Sequence, residues 1–474
     1  MRVYALYVVV AFLSIYAWKD WFKSLCGLIL LMAVIQHEDM PKAMFGIQGL
    51  NPWNVLFVMI ALAWATGRRR EGLVWDMPRH VTVLLLLYLG VIVVGVLRAV
   101  FDRSHIEDYP LKSLISEEFI NTIKWILPGL LLFDGCRTRR RVMIALVCIL
   151  AMYALIGVQV VRRLPPGSVF STGGEMMATR RVCSDIGYSA DDMSTMLAGI
   201  SWGILAALPL IHDRKYRVAA LGAAVMVIYG QALTGGRAGY VAWGTTGLIL
   251  CFLKWRRYLL LAPVVAILLP VVFPGAVERM LQGFNQTNAA GQAAEDEYEI
   301  TSGRNLIWPL IIDRIADSPM IGYGRLGMSR NGLADYILEL YGEGEAVSQT
   351  HNMYLETLLD NGVLGSLPIW LFWAMIIMYS ATLFRSHNPL YAAVGGLALS
   401  VVLAQLVAGL GSQHFYPEES TLGLWAAMLL AVRVHVEEKY AQAAAVQSDL
   451  TWDAPFTALP RTAAFADGQK AIAR

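Results

Sequence analysis

Apolar residues in this chain fall in discrete blocks separated by short polar or basic strings. A helix that crosses a bilayer needs about 20 apolar residues, within a range of roughly 17–25. About thirteen blocks approach that length, near 3–18, 24–35, 53–66, 80–97, 119–134, 142–161, 193–211, 217–233, 238–253, 258–273, 363–383, 391–411 and 421–436. The blocks at 24–35 and 53–66 are short, so the pattern predicts about twelve or thirteen spans. It predicts an all-α polytopic membrane protein. Met1–Trp18 lacks a basic leader beyond Arg2 and a clear small-residue cleavage site, so no cleavable signal peptide is expected.

Composition narrows the class. Of 474 residues, 57% are hydrophobic and 16% charged, where a soluble domain carries roughly a quarter charged residues. That excludes an ordinary cytosolic enzyme and a disordered protein. A net charge of +2 argues against a nucleic-acid partner, which would require a concentrated basic face. The cysteines Cys26, Cys136, Cys148, Cys183 and Cys251 include no CxxC pair, so neither a disulfide framework nor a zinc site is expected.

Basic residues orient the chain, because basic segments resist translocation. Arg68–Arg70, Arg137 with Arg139–Arg141, Arg214-Lys215 with Arg217, and Lys254 with Arg256-Arg257 are each separated by two spans. They are expected in the cytoplasm. Segments 99–118, 162–192, 234–237, 274–362 and 411–420 then lie outside. The organisation read from this is N-terminal spans over 1–192, spans with a first arginine turn over 193–273, a large outer loop over 274–362, C-terminal spans over 363–436, and a loosely ordered inner tail over 437–474.

The outer loop is too long for a simple connection and is expected to fold. Asn285–Glu299 reads as a mobile polar strip. From Gly303 the loop turns helical, with Leu306, Ile307, Leu310, Ile311 and Ile315 at helical spacing and Pro309 bending the start. Pro319, Gly322, Gly324 and Gly327 mark turns. A second helix is expected over Asn352–Asn361, stopped by Gly362.

Three outer strings carry candidate chemistry. Thr234-Gly235-Gly236-Arg237-Ala238-Gly239 is a tight turn leading into a span. A helix N-terminus presents unpaired N–H groups and partial positive charge, glycines admit an anion to them, and an arginine adds a two-pronged phosphate donor. The same string reads equally as a helix cap with an interfacial arginine. Thr301-Ser302-Gly303-Arg304-Asn305 repeats the pattern, with Thr301 or Ser302 as N-cap. Such strings usually mean an ordinary capped helix; two facing one compartment suggest a ligand with two phosphates. Thr350-His351-Asn352 opens the helix before Gly362 and holds the one histidine of the large outer segment. A helix N-terminus favours neutral imidazole, the form a general base requires, although a lone histidine is more often a cap or a packing residue. His414, in the polar run Ser412-Gln413-His414, is a further outer histidine that can line a site.

Together these strings resemble a known superfamily. HNMYLETLLDNGVLG, from His351 to Gly365, resembles the histidine motif of the bacterial O-antigen ligase and O-antigen polymerase superfamily. Gly235–Gly239 resembles its first outer arginine motif, and GRNLIWPLIIDRIADSPMIGYG, Gly303–Gly324, its second. The resemblance is strongest over about 193–435. It implies an inner-membrane glycosyltransferase, with its active site on the periplasmic face. Such an enzyme moves a glycan from a polyprenyl (undecaprenyl) diphosphate to an acceptor hydroxyl, on the lipid A core, another carrier-linked glycan, or a protein Ser or Thr. It implies no nucleotide sugar, metal or cofactor.

The residue chemistry agrees with that reading. His351 would aim and deprotonate the acceptor hydroxyl, and Arg237 and Arg304 would stabilise the leaving diphosphate. One displacement at the anomeric carbon inverts it. Gly235, Gly236, Gly303, Asn352, Arg314, Arg325, Arg180 and Arg181 are expected to help hold the diphosphate or glycan; Arg162, Arg163 and Arg330 belong to the same set of outer arginines able to bind diphosphate or acidic sugars, most of which are expected to be solvated or paired with acids such as Asp185, Asp191 and Asp317. The rival class is a lipid-linked glycan transporter. Transporters usually carry ionisable groups near the bilayer midplane, and here Lys124, near Pro128, is the main one.

Overall fold

The computed structural model describes residues 2–44, 46–164, 176–272, 274, 277, 304–341, 349–412 and 414–452. In chain order the described α-helices longer than one turn are α1 (Arg2–Ala17), α2 (Trp21–Ile35), α3 (Pro52–Arg70), α4 (Arg79–Phe101), α5 (Leu127–Gly135), α6 (Arg139–Arg163), α7 (Met176–Ile186), α8 (Ala190–Ala207), α9 (Arg214–Thr234), α10 (Arg237–Leu253), α11 (Ala262–Val272), α12 (Arg304–Asp317), α13 (Gly327–Arg330), α14 (Leu333–Tyr341), α15 (Met353–Arg385), α16 (Pro389–Ala408) and α17 (Leu422–Trp452). The sheet structure among the described residues is one small hairpin, Ala43–Met44 against Ile47–Gln48. The chain is an all-α, multi-pass membrane protein.

Six described helices are long and apolar enough to cross a membrane: α4, α6, α8 with its extension to Leu210, α9, α15 and α16. Other predicted blocks form shorter helices. The 15 residues of α2 extend about 22 Å at 1.5 Å per residue, short of the ~30 Å hydrocarbon layer. The block expected at 119–134 is not one helix. It splits into a π-helix at Leu114–Asn121, a single turn at Thr122–Lys124, and α5. Pro128 sits in the first turn of α5, where its missing N–H is tolerated, as it would not be in mid-helix. At the other end α17 continues helical to Trp452, past the expected stop at 436. Met1–His435 is one compact unit and Val436–Arg474 another.

Within the first unit α8, α10 and α16 share a core of small side chains, Ala198, Ala242, Ala404 and Ala408. Small residues let helix backbones approach closely where the solvent is lipid. This places the start of α10 and the end of α16 side by side.

Gly362 joins the outer segment to this bundle. It interrupts α15 with φ 59°, ψ −169°, a backbone region open essentially only to glycine. A Cβ there would lie 2.3 Å from the Met320 carbonyl carbon. The turn before α13 fills the break. Val363 and Leu364 N–H donate to Pro319 and Met320 O, and Tyr323 and Gly324 N–H donate to Leu359 and Asp360 O. Groups freed by the break are thus satisfied, as buried backbone requires. Ile307, Ile311, Met328, Leu333, Ile337 and Leu359 form the core beneath, so the apolar spacing read in α12 faces α14 and α15. Pro309 lies inside α12 without ending it.

Candidate functional site

The Arg237 turn is built by close approach. Gly235 closes α9 at φ 74°. Cβ atoms at Gly236 and Gly239 would stand 2.6 Å from the Ser194 Cβ and 2.0 Å from its Oγ. With glycine at both positions the turn lies on the first turns of α8, where Ser194 Oγ donates to Gly236 O at 3.0 Å. Gln231 Nε2 donates to Gly239 O and Tyr240 OH to Ala232 O, bracing the two helices. Gly236, as N-cap of α10, contributes no side-chain bond to the first-turn N–H groups.

Arg304 opens α12 and reaches back to the end of α16, its Nη2 donating to Gly411 O at 2.9 Å. Gly411 itself abuts the turn: a Cβ there would be 3.5 Å from the Ala238 Cβ. Burial, and next the positive charge of Arg237, hold the Arg304 guanidinium below its usual pKa, with Asp191 opposing.

His351 follows on the same turn. Met353 N–H donates to Gly409 O at 2.9 Å, two residues before the carbonyl that holds Arg304. Trp308 Nε1, one turn along α12 from Arg304, donates to Thr350 O at 3.1 Å. Asn352 caps α15, its Oδ1 accepting from Tyr354 and Leu355 N–H, and Thr350 Oγ1 donates to Asn352 O. His351 is half-buried between them at φ 50°. Positive φ outside glycine is uncommon and concentrates at functional positions.

Residues 221–369 match the O-antigen ligase family. That stretch, less than half of the chain, is similar to the O-antigen ligase family. No curated protein matches the chain. The match is narrower than the stretch read from the sequence. It includes all three motifs and leaves out His414 and the 409–411 turn that gathers them.

The remaining candidates take other places in the matched stretch and around it. Asn352 is spent on capping, and Arg314 is partly exposed, 3.6 Å from Asp317 on its own helix. Arg181 is exposed on α7; the Arg180 side chain and Gly303 lie outside the described residues. Arg325 is surrounded by carboxylates. Its Nε meets Glu118 at 2.7 Å, its Nη1 lies 3.3 Å from Glu356 and 3.6 Å from Asp360, and its guanidinium stacks on Tyr416 at 3.8 Å. Arg330 is buried against Asp102 at 2.8 Å.

The carboxylates around Arg325 were not read as site residues. Tyr416 OH donates to Asp360 at 2.9 Å, and His414 Nδ1 lies 2.6 Å from Glu356. The Glu356 carboxylate, against the effect of burial, raises the His414 imidazole to about 9, so it is cationic at neutral pH. Burial and then Asp360 push the Tyr416 phenol well above its usual range. The available sequence signal was Glu356 and Asp360 four apart in an otherwise apolar helix, which puts both on one face.

Two cavities flank the motifs. One of about 260 Å³ is lined mainly by apolar side chains of α9, α10 and α11, including Ile228, Tyr240, Trp243, Leu268 and Val272. The other, of about 620 Å³, is polar, and its wall includes Thr350 beside His351 as well as Arg325, Glu356 and His414.

Proposed function

We propose that this protein transfers a glycan from a polyprenyl diphosphate to an acceptor sugar hydroxyl at the periplasmic face of the inner membrane, as ligase or polymerase. The observation that carries the reading is the anchoring of Arg304 and the His351 helix to Gly411 and Gly409, against the Arg237 turn. Bringing two arginines together costs Coulomb energy that a bound diphosphate would return several-fold. His351 takes the proton from the acceptor hydroxyl. The oxygen bonds to the anomeric carbon from the face opposite the diphosphate. The bond between that carbon and the phosphate oxygen breaks, its electron pair leaving with the diphosphate, and the configuration inverts. Arg237 and Arg304 meet the charge that develops there, where fixed donors contribute most. The apolar cavity beside Tyr240 and Trp243 fits a hydrocarbon tail next to the same turn. Among the described residues no group of three or more His, Cys, Asp or Glu is arranged to hold a metal ion, and arginine is assigned the charge stabilisation.

The test is turnover by purified protein in detergent with a carrier-linked glycan and EDTA. The expected product has the inverted linkage. Loss on chelation with rescue by magnesium or manganese would move the chemistry to acids. A protein that moves carrier-linked glycan across liposomes but makes no product in detergent would be a transporter.

A further inference from the structure

The polar cavity is separate from the arginine pair yet shares a wall with the histidine motif through Thr350. Its volume, about 620 Å³, lies within the roughly 300–1,000 Å³ typical of small-ligand sites. One wall comes from the π-helix Leu114–Asn121, which supplies Glu117, Glu118 and Asn121. π-Helices are rare and occur frequently at functional sites. The opposite wall starts at Arg325 and Leu326, the latter at φ 61°. Trp125 adds an aromatic surface. Leu326, a non-glycine residue at positive φ, thus lines the cavity, and Thr350 in its wall directly precedes His351.

Its charge is asymmetric. Among the described lining residues the carboxylates are Glu117, Glu118, Glu356, Asp360, Glu418 and Glu419. The cations are Lys42, Arg325 and His414. Burial pushes Glu418 up to about 8 and Asp360 to about 7, and with both protonated Glu117, Glu118, Glu356 and Glu419 still outnumber the three cations by one. Arg325 and His414 are held by Glu118, Glu356 and Asp360 in the cavity floor. Glu117 and Glu419 are the more open acids; Glu117 takes one bond, from Tyr109 OH at 3.0 Å.

We propose that this cavity binds the acceptor glycan and selects a neutral or amine-bearing sugar over an acidic one. The assignment rests on the glycan-transfer reading above. Sugar hydroxyls donate to carboxylates in strong, charge-assisted hydrogen bonds. A sugar ammonium gains further from the surplus carboxylates, and a uronate is repelled by them. Donor and acceptor then approach the His351 turn from opposite cavities, the carrier from the apolar one and the accepting hydroxyl from the polar one.

Three probes of one ring shape, methyl glucoside, methyl glucosaminide and methyl glucuronide, test this by saturation-transfer NMR on the full chain in detergent. The glucuronide is expected to bind at least tenfold more weakly than the glucoside, and the glucosaminide most tightly. Glu117→Gln and Glu419→Gln, both at exposed or partly exposed positions, should narrow that spread to about threefold or less. In the transfer assay they should raise the acceptor KM about tenfold and leave the donor KM unchanged. Equal binding of the three sugars, a spread unmoved by both variants, or a raised donor KM would overturn the assignment while transfer itself continued. Absence of transfer by the unaltered protein would instead overturn the underlying glycan-transfer reading.

Discussion

Arginines gather at both ends of α9, and the two ends treat them in opposite ways. At the Arg214 end lie the basic loops. There Arg68 meets Asp134 at 2.7 Å, Arg137 bridges Asp134 and Asp76, Arg433 takes both oxygens of Asp76 at 2.8 Å, and Arg141 meets Glu71 at 2.7 Å. Asp134 is fully buried and also accepts from Trp64 Nε1. Every one of these charges is matched inside the fold. At the Thr234 end, about 30 Å away along the helix, Arg304 sits close enough to Arg237 for their like charges to oppose each other. Matched charge holds helices in register; opposed like charge is an arrangement that a bound anion relieves. The contrast supports the proposal that the arginines of the motif end serve an anion and those of the basic end serve the fold.

The largest effect that tests this contrast belongs to the motif end. His351→Ala should lower transfer by roughly 10²–10⁴-fold, the usual worth of a general base, with insertion and thermal stability close to those of the unaltered protein. Near-normal turnover would remove His351 from the chemistry. The basic end should respond the other way. Asp134→Ala leaves Arg68 and Arg137 without their buried carboxylate and should cost about 3–5 kcal/mol of stability, seen as a lower midpoint of thermal unfolding in detergent. Activity per folded molecule should hold. If Asp134→Ala instead spared the midpoint and stopped transfer, the division between the two ends would fail.

Arg237→Ala and Arg304→Ala should each reduce kcat by about 10²–10³-fold, comparable to losing one donor to a developing oxyanion. Lysine at either position keeps the charge and loses the planar pair of donors, so an intermediate loss is expected. Steady-state kinetics with varied donor reads both. Full activity in the lysine variants would reduce the arginines to point charges.

How much of this was legible depended on distance along the chain. Arg237, Arg304 and His351 were readable because each sits in a local device, a glycine or hydroxyl residue followed by a helix start. The Gly362 break was readable for the same reason. The turn that joins the three motifs, Gly409–Gly411, was not, because its contribution is two backbone carbonyls. The polar cavity drew its walls from Lys42, the Glu117–Trp125 stretch, Arg325, Glu356 and His414, and only packing brings these together. Arg325 was expected to help hold the diphosphate or glycan; its carboxylate partners were not readable, because Glu118 lies 207 residues away. The π-helix at Leu114–Asn121 was also hidden: a π turn has no residue signature comparable to a proline or a cap.

The smallest predicted effect concerns His414, which borders the motif end yet behaves like the basic end, as a matched charge. Its imidazole titrates at about 9 in the fold because Glu356 stabilises the protonated form, against about 6.5 in an unfolded chain. A raised pKa means that the folded state holds the proton more tightly. The stabilisation is therefore fully present below pH ~6.5 and is lost as pH rises through about 9. At roughly 1.4 kcal/mol per unit, it amounts to about 3 kcal/mol at most. Thermal unfolding in detergent should show the midpoint falling between pH 6.5 and 9.5, and His414→Gln should flatten that slope while lowering the midpoint at pH 6. A variant that kept the slope would show that another group titrates there, and would place His414 with the reactive residues rather than the matched ones.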